Sequence, residues 1–165
     1  MKNILLILTL TFTNLIYSQT NFKKIQTEKL NPEKVQLAKK FIQTFLNKCE
    51  NKDYTEFSEF SIPSEFKKFL NLKFEEVCLS NEKKLGKINL QNLNSAYKDK
   101  SSLLGGEELY IFDANTEKNK ETKYLSVWIA NENQINGIVL TSYKPLKIKK
   151  TADNIGACCT THHCV

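Results

Sequence analysis

Polar and apolar positions alternate through the second half of the chain, and this period of two predicts antiparallel β-strands. Two polar breaks, Asn115–Lys120 and Asn131–Gln134, divide the region into short segments, which is typical of strands joined by hairpins. The segments are rich in β-branched and aromatic residues: Glu107–Ala114, Glu121–Ala130 and Ile135–Tyr143. They predict the larger part of a strand meander that the rest of the chain must cover.

A fourth strand is predicted before these three, over Lys87–Tyr97. Its alternation changes phase after Leu90, which predicts a β-bulge near Asn92. In the strand around Trp128, successive side chains point to opposite faces of the sheet. One face carries Leu125, Val127 and Ile129, and the other carries Tyr124, Ser126 and Trp128. Both faces are apolar near the strand centres, so both need a cover.

The first half of the chain repeats its apolar residues at intervals of three and four, which predicts amphipathic helices. Asn31 is a good N-cap residue and opens a first helix over about Pro32–Glu50. Asp53 can cap a short second helix, whose apolar residues are Tyr54, Phe57 and Phe60. A third helix begins at Ser64 and ends near Asn81.

Two cysteines, Cys49 and Cys78, fall on the buried faces of the first and third helices. Small thiol side chains fill protein cores well. If the two helices are antiparallel neighbours, their ends lie at opposite poles, and the two Cα atoms are much farther apart than the roughly 7 Å that a disulfide can bridge. The sequence therefore predicts two core cysteines with no bond between them.

Helices followed by an antiparallel sheet define an α+β domain, here with three N-terminal helices packed on a curved four-stranded antiparallel meander. The element order over Asn31–Tyr143 resembles the cone-shaped, cystatin-like and nuclear-transport-factor-two-like fold. It is nearest to small exported bacterial domains of unknown function that have a long first helix, a turn such as Asn51–Tyr54 and a closing hairpin such as Val127–Leu140. The resemblance implies a pocket between sheet and helices, and pairing of two copies through the sheet.

The chain opens with the features of a secretory signal peptide, which we place at residues 1–18. Lys2 precedes the short apolar stretch Ile4–Ile16, and Ser18 is a small residue at the expected cleavage point. The stretch is shorter than the roughly 20 residues that span a bilayer. We therefore expect a secreted or periplasmic protein with no membrane anchor after cleavage. It is divided into a polar lead-in (19–30), a single domain (31–148) and a flexible Cys/His-rich tail (149–165).

All 24 basic residues are lysines, and they are interspersed with 18 acidic residues to give a formal net charge of +6. Proteins that bind nucleic acid usually concentrate basic residues in patches and use arginine for bidentate contacts. We therefore expect no nucleic-acid partner.

The C-terminal tail contains both histidines and three of the five cysteines of the chain. Thiolates and imidazoles are ligands suited to Zn²⁺ or Cu(I), so one interpretation of the tail is a metal site. The candidate ligands are Cys158, Cys159, His162, His163 and Cys164. In an oxidising compartment, the alternative is a disulfide that joins Cys158 or Cys159 to Cys164.

Aromatic residues of the meander are candidates for a ligand pocket, because such pockets are mostly apolar and need few polar groups. The candidates are Tyr97, Tyr110, Trp128 and Tyr143. Aromatic residues are also enriched at protein interfaces, and a homodimer through the sheet face would use Tyr110, Tyr124 and Trp128.

These features favour an exported domain that binds a small apolar or aromatic ligand, or a protein partner, without catalysis. The first alternative is a dimeric interaction module with a metal-sequestering tail. The second is an acid–base enzyme, in which a pocket carboxylate such as Asp99 or Asp113 lies beside a tyrosine. The chain before the tail contains no histidine and no arginine, so the sequence offers no obvious tuned proton-transfer group.

Overall fold

Two α-helices pack on one face of a five-stranded antiparallel sheet in the computed structural model, which describes residues 22–100 and 106–146. The helices are α1 (Pro32–Glu50) and α2 (Ser64–Leu85). The strands, which are neighbours in chain order, are β1 (Phe22–Lys24), β2 (Ile88–Asp99), β3 (Glu108–Thr116), β4 (Tyr124–Ile129) and β5 (Ile135–Thr141). The domain is α+β as predicted, but the predicted arrangement of three helices on a four-stranded meander is wrong.

The sheet has the two apolar faces that the alternation predicts. On the helix side, the buried core includes Tyr110, Phe112, Leu125, Val127 and Ile129. The cluster on the other face, which we call the outer cluster, consists of Leu109, Ile111, Trp128 and Val139, with Phe22, Tyr97, Tyr124 and Leu146 packed against it. The predicted bulge is confirmed, because the pairing of β2 with β3 shifts register on both sides of Leu93.

The fifth strand is β1, and it lies in the segment 19–30 that the sequence predicts to be a loose lead-in. It pairs with the end of β2, where Phe22 lies opposite Asp99 and Lys24 opposite Tyr97. Backbone hydrogen bonds attach this edge strand, so it needs no apolar period of its own. A single apolar side chain, that of Phe22, packs against the outer cluster. The prediction of a loose lead-in is therefore wrong for the described part of this segment.

The predicted second helix is absent from the described residues, where residues 51–63 form an irregular connector between α1 and α2. The ring of Phe57 lies 5.5 Å from that of Phe41 and 5.0 Å from that of Phe74. Phe60 lies 5.0 Å from Phe41. An extended chain covers about 3.3 Å per residue, against about 1.5 Å in a helix. The connector can therefore run back along α1, and its phenylalanines join the core.

Because of this connector, α1 and α2 run side by side in the same direction. Their contacts advance together along both helices: Phe41 with Phe66 (6.3 Å), Phe45 with Phe74 (5.0 Å), and then Cys49 with Cys78. Cys49 and Cys78 form a disulfide in which the Cα atoms are 5.1 Å apart. The prediction that these cysteines do not bond is wrong, because it assumed antiparallel helices.

The C-terminus of α1 is closed by a Schellman motif, in which two backbone N–H groups beyond the helix bond back to its last turn. The N–H of Asp53 donates to the carbonyl of Lys48 at 2.9 Å, and the N–H of Lys52 donates to that of Cys49 at 3.2 Å. The motif requires a left-handed residue, and Lys52 has a φ of 54°. A lysine thus holds a backbone position that glycine usually occupies.

The predicted signal peptide (1–18) and the Cys/His-rich tail (149–165) lie outside the described residues. So do the candidate metal ligands and the alternative disulfide of the tail, which remain predictions. Among the helices of the described ranges, none has the length and apolar character needed to span a bilayer.

Candidate ligand-binding site

A cavity of about 330 Å³ lies where the C-termini of α1 and α2 meet the sheet, and we call it the disulfide cavity. Its apolar wall is formed by Phe45, Leu46, Ile88 and the disulfide between Cys49 and Cys78. Charged residues surround this wall: Glu50, Lys52, Glu82, Lys87, Glu117 and Lys118. Asn81 and Gly86 complete the lining.

The local structure explains why these residues converge at one pole of the domain. Because α1 and α2 run in the same direction, both helices end there. At the end of α2, Gly86 has a φ of 67°, and the chain turns into β2. The turn between β3 and β4 closes the opposite wall. There the N–H of Lys118 donates to the Leu85 carbonyl at 2.9 Å, and that of Glu117 to the Lys87 carbonyl at 3.0 Å.

Part of the charge around the cavity is neutralised within the protein. The Lys87 ammonium lies 2.8 Å from the Glu50 carboxylate, and this hydrogen bond raises the pKa of Lys87 above its ordinary value. The Lys118 ammonium donates to the backbone carbonyl of Glu82 at 3.0 Å, near the negative end of the α2 dipole. These two ammonium groups therefore already have partners in the protein.

Three other polar groups around the cavity are available to a ligand. Among the described residues, no hydrogen bond or ion pair engages the Lys52 ammonium, the Asn81 amide or the Glu82 carboxylate. Small-molecule sites commonly combine an apolar wall with a few polar groups that orient the ligand. The disulfide cavity has this composition.

The apolar wall continues from the disulfide cavity towards the sheet. A small space of about 20 Å³ shares Phe45, Leu46, Asn81 and Ile88 with it. The other residues that line this space come from β4 and β5: Leu125, Ile138, Val139 and Leu140.

A second cavity of about 340 Å³ lies between the connector and the first half of α2, and we call it the connector cavity. Its apolar lining consists of Phe57, Phe60, Ile62 and Leu70. The Glu56 carboxylate, on its edge, accepts hydrogen bonds from Lys67 at 2.8 Å and from Asn71 at 3.3 Å. The bond from Lys67, with a smaller contribution from Asn71, lowers the pKa of Glu56. The charged groups of this cavity are therefore engaged with each other.

The four residues predicted to line a pocket are not brought together. Tyr110 is fully buried on the helix side of the sheet, whereas Tyr97 and Trp128 belong to or pack against the outer cluster. Tyr143 follows β5 and is 51% exposed. None of the four lines the disulfide cavity or the connector cavity.

The aromatic residues predicted to form a dimer contact are also divided between the two faces of the sheet. Tyr110 faces the helices, while Tyr124 and Trp128 lie on the opposite face. Trp128 is already 95% buried within one chain, since only 5% of it is exposed. A homodimer remains a prediction, but these three side chains cannot share one interface.

A partly buried polar cluster that the sequence pattern did not indicate links α1 to β3. The Tyr110 hydroxyl donates to one carboxylate oxygen of Glu108 at 2.6 Å, and the Lys34 ammonium lies 3.3 Å from the other. Burial, with a smaller contribution from the Glu108 carboxylate, raises the pKa of Tyr110 far above its ordinary value. Glu108 and Tyr110 are two residues apart on one strand, and this spacing is the signal that could have paired them. The three groups satisfy one another, so we interpret the cluster as structural.

The two carboxylates considered for acid–base chemistry lie away from both cavities. Asp113 accepts a hydrogen bond from the Asn94 amide at 2.8 Å. Neither Asp113 nor Asp99 lines the disulfide cavity or the connector cavity. These cavities therefore give the acid–base alternative no support through either residue.

The described residues contain no group of three or more His, Cys, Asp or Glu side chains that could hold a metal ion. Both histidines lie in the tail, so the metal site predicted there remains a prediction. Comparison of the chain with protein-family models, with curated proteins and with solved structures gives no match. The cystatin-like resemblance also remains a prediction, and the site is interpreted from its own geometry.

Proposed function

We propose that the protein is an exported, non-catalytic domain that binds a small apolar or aromatic ligand in the disulfide cavity. The observation that carries this proposal is the cavity itself, whose volume is about 330 Å³. This volume falls within the range of about 300–1,000 Å³ that is typical of small-molecule sites. Export is inferred from the signal-peptide features of residues 1–18.

The apolar wall supports the choice of ligand class. Phe45, Leu46 and Ile88 stand beside the disulfide, so a ligand that covers them removes apolar surface from water. A polar group on the ligand can meet the Lys52 ammonium or the Glu82 carboxylate without displacing a partner among the described residues. The ligand class that fits is therefore an apolar or aromatic body with one polar or ionised group.

The connector cavity is the less suitable site, although its volume is about the same. A ligand that used the Glu56 carboxylate there would have to compete with Lys67 and Asn71. Breaking existing hydrogen bonds offsets part of the gain from new ones.

The proposal is tested by isothermal titration calorimetry with 8-anilinonaphthalene-1-sulfonate, an aromatic body that carries one anionic group. Three variants, each with one aliphatic residue replaced by tryptophan, are compared with the wild type. They are Leu46→Trp in the disulfide cavity, Ile62→Trp in the connector cavity and Leu72→Trp on the exposed face of α2. Leu72 is 69% exposed and is the control for the tryptophan itself.

We expect saturable binding at one site by the wild type and an affinity at least about tenfold lower for Leu46→Trp, because the larger side chain fills the ligand's space. The Ile62→Trp and Leu72→Trp variants should bind within about twofold of the wild type. A loss confined to Ile62→Trp would place the site in the connector cavity and overturn the proposal. Absence of saturable binding by the wild type, tested also with the neutral probe N-phenyl-1-naphthylamine, would overturn it as well.

A further inference from the structure

We propose that the Cys49–Cys78 disulfide makes the ligand site redox-responsive, with Cys49 as the point of attack for a reducing dithiol. The proposal rests on the function proposed above and deepens it, because it assigns a means of control to the same cavity. It is carried by three features of the structure: where the buried face of α2 ends, which cysteine is accessible, and what the cavity wall contains.

Cys78 is the last fully buried residue of α2. The buried residues of this helix are Phe66, Leu70, Phe74, Val77 and Cys78. The helix continues for two further turns to Leu85, and this final part supplies Asn81 and Glu82 to the wall of the disulfide cavity. No side chain in the final part is fully buried, and Leu79 is 48% exposed. The disulfide is thus the covalent anchor immediately before the helical segment that forms the wall.

Other contacts hold the earlier part of α2 without help from the disulfide. Phe74 packs against Phe45 at 5.0 Å and against Phe57 at 5.0 Å. Beyond Cys78, α2 is held by one apolar side chain, the partly buried Leu85, which packs against the core, and by the turn between β3 and β4, chiefly through Lys118. Loss of the disulfide should therefore loosen the end of α2 and leave the aromatic core in place.

The two cysteine residues differ in exposure. Cys78 is 3% exposed, whereas Cys49 is only partly buried, and both line the cavity. A thiolate of a dithiol reductant attacks the Cys49 sulfur, forms a mixed disulfide with it and releases the Cys78 thiolate, which takes a proton from solvent. The second thiolate of the reductant then closes its own disulfide and releases Cys49 as a thiol. Two electrons pass from the dithiol to the protein, and both cysteines end as thiols.

Ligand binding and reduction of the Cys49–Cys78 disulfide are therefore coupled in both directions. A ligand that packs on the apolar wall covers the Cys49 sulfur and should slow the attack. Equally, a reduced protein with a looser wall should bind the ligand less tightly, since a coupling between two events is reciprocal.

The experiment uses the full chain with the tail cysteines replaced, Cys158→Ser, Cys159→Ser and Cys164→Ser, so that only one disulfide can react. This protein is compared before and after reduction with dithiothreitol, and with the additional double change Cys49→Ala and Cys78→Ala. The measurements are the affinity for 8-anilinonaphthalene-1-sulfonate, the rate of reduction with and without that probe, and the hydrogen exchange of individual backbone amides.

We expect the reduced protein and the alanine variant to bind the probe at least about fivefold more weakly. Amide exchange should accelerate over residues 79–86 and stay slow in β3 and β4, which shows that the fold persists. Saturating probe should slow reduction at least about threefold. Unchanged exchange over residues 79–86 after reduction, or exchange that rises through β3 and β4 as well, would overturn the proposal, since the disulfide is then either inert or a support of the whole fold.

The exchange measurement also separates this proposal from the proposed function. The oxidised protein could bind neither 8-anilinonaphthalene-1-sulfonate nor N-phenyl-1-naphthylamine, while residues 79–86 still loosen on reduction. In that case the ligand-binding function is wrong and the redox-responsive wall is supported. If the oxidised protein binds the probe and reduction changes neither affinity nor exchange, the function stands and the redox proposal is wrong.

Discussion

The disulfide cavity and the connector cavity have nearly equal volumes, about 330 and 340 Å³, but they are built differently. In the connector cavity, Glu56 is bonded to Lys67 and Asn71. Two of its apolar lining residues, Phe57 and Phe60, also belong to an aromatic cluster that packs the connector against the helices. In the disulfide cavity, Lys52 and Glu82 have side chains without partners among the described residues. The comparison teaches that volume does not distinguish the two cavities, and that the site we propose differs in the polar groups left available around its apolar wall.

The two cavities also differ in how the surrounding chain is held. Next to the connector cavity, Phe57 packs against three phenylalanines: Phe41, Phe45 and Phe74. Next to the disulfide cavity, the end of α2 is held by one covalent bond, a few hydrogen bonds and the partly buried side chain of Leu85. We therefore expect changes on the connector side to affect stability most, and changes on the disulfide side to affect binding most.

The largest effect should come from Phe57→Ala. Phe57 is 6% exposed, and its removal leaves a void among well-packed rings. We expect the free energy of unfolding, measured by urea denaturation, to fall by about 3–5 kcal/mol. The matched control is Phe69→Ala, because Phe69 is only partly buried and contacts the single ring of Phe66 at 6.3 Å. Equal losses in the two variants would show that the connector is not part of the core.

An intermediate effect is expected for Lys52→Gly, which should raise the stability of the protein and lower its affinity for the probe. Lys52 holds a left-handed backbone with a φ of 54°, which costs a non-glycine residue about 1 kcal/mol. Glycine removes this strain but also the ammonium group at the edge of the disulfide cavity. Unfolding should require up to about 1 kcal/mol more, while affinity for 8-anilinonaphthalene-1-sulfonate should fall about two- to fivefold.

The control for this variant is Lys52→Gln, which removes the charge and keeps the backbone strain. It should lose the same affinity with no gain in stability. If Lys52→Gly and Lys52→Gln both bind the probe as tightly as the wild type, Lys52 takes no part in the site.

The smallest effect is expected at Asp53, which lies where α1 passes into the connector. In the sequence it falls between Lys52, which lines the disulfide cavity, and Glu56, which lines the connector cavity. Its carboxylate accepts hydrogen bonds from the Lys48 ammonium at 2.7 Å and from the Thr55 N–H at 3.0 Å. The bond from Lys48, followed by those from Thr55, lowers the pKa of Asp53 from 3.8 to about 2. A lowered folded-state pKa stabilises the protein above pH 3.8, and this contribution is lost as the pH falls through about 2.

We therefore expect Asp53→Asn to melt a few degrees lower at most than the wild type at pH 6, with the difference disappearing near pH 2. Thermal melts recorded between pH 6 and pH 2 measure this. Glu75→Gln, at an exposed position of α2, is the control and should follow the wild type throughout. A difference in melting temperature that grows as the pH falls would show that the sign of the argument is wrong.

The sheet could be predicted from the sequence in more detail than the helical layer. A period of two places Leu125 and Trp128 on opposite faces wherever the strand lies, because side-chain direction in a strand depends only on local backbone geometry. The phase change after Leu90 marked the bulge for the same reason. In contrast, β1 is attached by backbone hydrogen bonds, which any residue except proline can form. Its sequence therefore shows no apolar period from which the strand could be predicted.

The path of the connector could not be predicted because Tyr54, Phe57 and Phe60 have a spacing that also suits a helix. Only their long-range contacts with α1 and α2 distinguish the two arrangements. The prediction of unbonded cysteines assumes that the two long helices are antiparallel neighbours, which places Cys49 and Cys78 at opposite poles. An even number of cysteines before the tail of a chain expected to be exported was the signal that favoured a bond.

The candidate site was missed for the same reason. The sequence reasoning chose aromatic residues of the strands, such as Tyr97 and Trp128, but these belong to the outer cluster. The disulfide cavity depends on the parallel course of α1 and α2, which no local pattern reveals. The residues that line it come from separate stretches of the chain, within 45–52, 78–82, 86–88 and 117–118, and only the fold brings these stretches together.

The central claim is that a ligand enters the disulfide cavity and leaves the connector cavity empty. The most direct test is a titration of the ¹³C-methyl-labelled protein with 8-anilinonaphthalene-1-sulfonate, followed by methyl NMR. We predict saturable shifts at Leu46 and Ile88, with Ile62 and Leu70 unmoved. Saturable shifts at Ile62 and Leu70 with Leu46 and Ile88 unmoved, or no saturable shift at any of the four, would contradict the claim.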